Sequence, residues 1–88
     1  MGGVVIMGNA EVLKKVKDNF KKKRKHWEFE VDTFNCLGEN GAYDRADSLL
    51  GFLSNSFNAD EKDKYSFNKL VVGVTLLQGL YVVSVKFG

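Results

Sequence analysis

The 88-residue sequence contains no proline, one cysteine, one histidine and one tryptophan. Each scarcity excludes something. Cys36 stands alone, so a disulfide-framed secreted domain is excluded and a reducing, intracellular, cytoplasmic setting is expected. A structural zinc site needs four Cys or His ligands at fixed spacing, and Cys36 and His26 are the whole supply. No metal or cofactor is therefore expected. Without proline the chain has no rigid linker and reads as a compact run of regular elements. No apolar stretch approaches the ~20 residues that span a bilayer, so no membrane association is expected. The N-terminal stretch MGGVVIMGNAEV lacks a basic leader, and its apolar part is too short for a signal peptide. Gly2 is not followed by the Ser or Thr at position 6 that myristoylation wants, because Ile6 is there.

What is present reads as one domain over residues 1–88. The composition, 44% hydrophobic and 27% charged, is that of a globular chain. Gly3–Met7 is short, apolar and β-branched, and predicts a buried strand. Gly8 and Asn9 offer a turn and an N-cap to a helix from about Ala10 to Lys22. At about 100° per residue, Val12, Leu13, Val16 and Phe20 share one arc. Lys14, Lys17, Lys21 and Lys25 project opposite. Lys23 would fall inside the apolar arc, so the helix should end near Lys22.

His26–Asn35 alternates. Trp27, Phe29, Val31 and Thr33 take one face, and Glu28, Glu30 and Asp32 take the other. This is a half-buried strand. Leu37–Gly41 reads as a loop. A second helix follows from about Tyr43 to Phe57, with Ala46, Leu49, Leu50, Leu53 and Phe57 as its stripe and Gly51 on the solvent side. Residues Asn58–Ser66 read as an exposed loop or a short helical extension. A two-residue turn at Gln78-Gly79 then aligns Leu76 with Tyr81, Val74 with Val83, Val72 with Val85 and Leu70 with Phe87, all apolar. A slip of one residue would destroy that segregation.

The fold class is thus α/β, an α+β two-layer architecture in the order β-α-β-α-β-β. It combines a mixed four-stranded sheet, a C-terminal β-hairpin and two helices on one face. The helices would leave Val71, Thr75, Leu80 and Val82 on the open face of the sheet.

The search for chemistry is mostly negative. Glu28, Glu30 and Asp32 on one strand face are a candidate hard-cation site, but the same pattern describes a solvated face paired with Lys69 and Lys86. Cys36 and His26 lie ten residues apart near opposite ends of one strand, roughly 30 Å of extended chain, too far for a nucleophile and its base. Val4–Gly8 before a helix lacks the further glycines of a phosphate cradle. A non-enzymatic protein is expected.

Charge is the remaining signal. Residues 1–26 hold eight bases and two acids, and residues 27–88 hold five bases and nine acids. The run KKKRKHW places Lys21, Lys22, Lys23, Arg24 and Lys25 directly before His26 and Trp27. With Lys14 and Lys17 they form a candidate surface for nucleic acid or an acidic protein, working by counterion release. The opposing reading is a solvated helix face, because Glu11 and Asp18 lie within pairing distance of those lysines. KKKRK also resembles a monopartite nuclear-import signal, which matters only in a eukaryotic cell. The alternative function is a protein-interaction module, either a homodimer or a small inhibitor of a larger protein such as a nucleic-acid enzyme. It would use the open face of Val71, Thr75, Leu80 and Val82.

Overall fold

A computed structural model of the chain describes residues 7–32 and 38–88. The elements are α1 (Asn9–Lys21), β1 (Trp27–Asp32), α2 (Gly38–Ser56), α3 (Ala59–Lys64), a 3-10 turn (Phe67–Lys69), β2 (Leu70–Leu77) and β3 (Leu80–Phe87). The protein is a small α+β fold with three helices and a three-stranded antiparallel sheet among the described residues. The strand order is β1-β3-β2. Three of the four expected strands lie among the described residues, and they form this antiparallel sheet. The strand expected over Gly3–Met7 lies, apart from Met7, outside the described residues. Met7 itself donates its N–H to the Val31 carbonyl at 2.9 Å. Thr33 and Cys36 also lie outside them.

The hairpin forms in the expected register, from Leu77 opposite Leu80 to Leu70 opposite Phe87. Gln78 and Gly79 both take positive φ, 51° and 79°. That pair of conformations matches the right-handed twist of the flanking strands. Burial along the inward row is graded. Leu70 and Phe87 are buried at one end, and Leu76 is exposed at the other.

One correction concerns β1. Its pairing with β3 runs regularly from Trp27–Phe87 to Glu30–Ser84, then shifts, so that Asp32 stands opposite Val83. Val31 is the extra residue of a β-bulge. The insertion breaks the alternation and turns Asp32 from the carboxylate face to the side of inward-facing Val83. Asp32 is therefore buried, while Glu28 and Glu30 remain exposed.

α1 ends as its pattern requires. Lys23 adopts φ 56°. Lys23 N–H donates to the Phe20 carbonyl at 3.0 Å, and Arg24 N–H donates to the Asn19 carbonyl at 3.4 Å. These are the two bonds of a Schellman motif, with lysine where glycine usually sits. At the other end Gly8 occupies the N-cap position without a side-chain bond. Asn9 does not cap as expected, because its Oδ1 accepts from Arg45 Nη1 at 2.7 Å. Arg45 Nη2 also donates to the Met7 carbonyl at 2.9 Å. A tertiary bond thus replaces a local one.

α2 begins five residues earlier than its pattern suggested, at Gly38, so part of the expected loop is helix. Leu50 is not in the stripe. It is 38% exposed, while Ala42, Ala46, Leu49 and Leu53 form the buried row. The expected loop after α2 contains α3, closed by a capping box in which Asn58 Oδ1 accepts from Glu61 N–H and Glu61 Oε1 accepts from Asn58 N–H.

The core joins Val12, Val16 and Phe20 of α1, the buried row of α2, Phe57, and the inward residues of the sheet. Its center is aromatic. Phe20 meets Trp27, Phe57 and Phe87 edge-on and stacks on Tyr65 at 5.0 Å. Trp27 in turn stacks on Phe29 and Phe87.

Candidate anion-binding cleft

The structure places six of the seven bases expected at the site in two groups and leaves Lys22 in neither. Lys14, Lys17 and Lys21 line a groove of about 800 Å³ on α1, floored by Met7, Leu13 and Phe52. Glu11 and Asp18 line it too, so this face is of mixed sign. Lys17 is partly committed elsewhere, with its ammonium 5.9 Å from the Phe57 ring center. Lys22 pairs with Asp18 at 3.1 Å across one helical turn, both side chains more than half exposed. Such a pair contributes little to stability, but it offsets the charge of Lys22.

Lys23, Arg24 and Lys25 belong to a different place. With His26, Lys64, Tyr65, Ser66 and Lys69 they line a cleft of about 640 Å³, floored by Phe20 and Phe87. Five permanent cations and one imidazole converge there. Among the described residues no Asp or Glu side chain lines the cleft. All six basic side chains are exposed.

The backbone explains the convergence. α1 and α3 both end at this cleft. The carbonyl ends of helices favor nearby cations. Each helix is followed by a left-handed residue, Lys23 at φ 56° and Ser66 at φ 55°. The first turns the Lys23–His26 segment across the floor, and the second brings Lys69 to the rim. Lys64 is further held by the Tyr65 ring, 5.3 Å from its Nζ.

A left-handed lysine is strained by about 1 kcal/mol or more. Lys23→Gly will therefore stabilise the fold by about 0.5–1 kcal/mol, raising the melting midpoint by a few degrees. It will also weaken anion binding. Thermal melts and titrations on the same variant check both halves. Unchanged stability would show that the turn is not strained.

The other candidate sites fare less well. Glu28 and Glu30 remain on the open face, but the bulge withdraws Asp32. No group of three His, Cys, Asp or Glu able to hold a metal exists among the described residues. The open-face patch is also smaller than expected. Val82 is only 5% exposed and so does not belong to it. Val71, Thr75 and Leu80 are exposed as expected, and Leu77 joins them. No helix among the described residues is long and apolar enough to cross a membrane.

Among the described residues one titratable group is clearly perturbed. Tyr81 donates its hydroxyl to Glu39 Oε2 at 3.3 Å. The Glu39 charge, some desolvation and that hydrogen bond raise the phenol above its ordinary value. A raised phenol favors the fold below pH ~10, and the benefit is lost as pH rises through the folded value. In Glu39→Gln the phenolate absorbance will appear at lower pH than in the parent. An unmoved titration would dissociate the two groups.

Comparison with known proteins finds no matching family model, no similar curated protein and no similar solved structure.

Proposed function

We propose that the protein is a small non-enzymatic binding module that holds the phosphate backbone of nucleic acid in the cleft between the ends of α1 and α3. The observation that supports this reading is the convergence of Lys23, Arg24, Lys25, His26, Lys64 and Lys69 around a concave surface lined by no acidic side chain among the described residues. Phosphates at successive positions along a strand would displace counterions from these cations. The mixed-sign face of Lys14, Lys17 and Lys21 extends the track as a secondary contact. Readout of base sequence is not expected, because Trp27 and Phe20 are buried and leave the cleft a floor rather than free stacking rings.

Trp27 provides the test. Its ring stacks on Phe87, which lines the cleft, so its fluorescence reports occupancy. Titration with mixed-sequence DNA and RNA will show saturable binding that weakens steeply as salt is raised. No binding at low salt would reject nucleic acid and leave the cleft to an acidic protein surface, the alternative partner.

A further inference from the structure

The sheet has two differently finished edges. β1 carries the bulge and the exposed carboxylates Glu28 and Glu30, which are ordinary devices against edge pairing. β2 has none. Its sequence, LVVGVTLL, contains no charge and no bulge, and the chain has no proline to interrupt it. β2 is also the terminal strand of the sheet among the described residues.

The hairpin register determines which backbone groups are free. Leu77 and Leu80 flank the two-residue turn and form a hydrogen-bonded pair, so the odd-numbered residues of β2 bond to β3. The N–H and C=O groups of Val72, Val74 and Leu76 therefore point away from the sheet.

An apolar strip runs beside them. On α2, Arg45 bonds to Met7 and Asn9, and Phe52 lines the groove with α1. That flank faces α1. At about 100° per residue, Tyr43 and Leu50 fall on the opposite flank, across the buried row. α1 lies over β1 through Phe20–Trp27 and Lys15–Phe29, whereas α2 packs on β2 and β3. Tyr43 and Leu50 therefore lie on the flank of α2 turned away from α1 and toward the β2 side of the sheet. They are 53% and 38% exposed, and Leu76 on β2 is 60% exposed.

We propose that the β2 edge is a dimerisation surface, and that its occupant is a second copy of this chain pairing β2 antiparallel to β2 about a two-fold axis at Val74, which sets Val74 opposite its own copy and Val72 opposite the second copy of Leu76. The result is a continuous six-stranded sheet, with the Tyr43–Leu50 flanks meeting above the seam. An antiparallel copy is favored by self-complementarity. The free groups of Val72, Val74 and Leu76 repeat at the same spacing on both strands, and an uncharged strand brings no like charges together across the axis. Two carboxylates share that flank: Glu39 accepts from the Tyr81 hydroxyl at 3.3 Å, and Asp47 lies on its solvent side, where salt screens it. This inference is independent of the cleft.

The test uses the full chain up to ~1 mM, a range that captures weak association. Sedimentation equilibrium will give twice the 9.9 kDa chain mass. The amides of Val72, Val74 and Leu76 will exchange more slowly as concentration rises. Leu76→Lys and Leu50→Lys change exposed side chains, so the circular dichroism will be retained while the mass falls to that of one chain. A parent that stays monomeric throughout would overturn the proposal. So would a dimer that survives both substitutions, or protection at the three amides that does not depend on concentration.

Discussion

Phe20→Ala will lower stability by about 3–5 kcal/mol, the usual cost of truncating a well-packed aromatic residue. Phe20 is 4% exposed and meets four other rings, three edge-on and one stacked. Those partners come from β1, β3, the end of α2 and the turn after α3, so relaxation at one wall cannot fill the void. A small domain has roughly 5–15 kcal/mol in total, and a chain of this size belongs near the lower end. The melting midpoint should fall by ~15–30 °C. Phe20→Leu, which keeps most of the volume, should lose about half as much. A loss below ~1.5 kcal/mol for the alanine variant would mean that the ring cluster is not the center of the core.

The second large effect is on binding. If the five permanent cations of the cleft each neutralise one phosphate of duplex DNA, the salt slope is about −4.5. Affinity should then fall ~500-fold between 50 and 200 mM salt. Lys64→Gln with Lys69→Gln removes two of the five and should reduce the slope by about two. Lys14→Gln with Lys17→Gln removes the same number from the mixed-sign face and should change it less. Equal effects from the two pairs would move the site from the cleft to the helix. An unchanged slope in both would remove nucleic acid as the ligand of either surface.

The fold is legible in the sequence to different depths in different elements. The hairpin register was legible because alternation and turn chemistry agree, and each penalises a slip independently. The end of α1 was legible because Lys23 cannot sit in an apolar arc. The cleft was only half legible. Lys23, Arg24 and Lys25 are contiguous and visible, but Lys64 and Lys69 sit some forty residues later in a polar stretch with no periodic signal. Only the docking of α3 and the left-handed Ser66 bring them across. The bulge at Val31 leaves no trace in the alternation, so the pattern alone groups Asp32 with Glu28 and Glu30. The pattern places Leu50 in the core because an apolar residue beside a stripe does not declare which way a half-turn will carry it.

The graded burial of the hairpin has a mechanical consequence. Where β2 and β3 enter the aromatic cluster, at Leu70 and Phe87, they are clamped between rings. Toward Leu76, Leu77 and Leu80 they are increasingly exposed. The ribbon has a fastened end and a loose end, and its rungs should open in order from the Gln78-Gly79 turn toward Phe87.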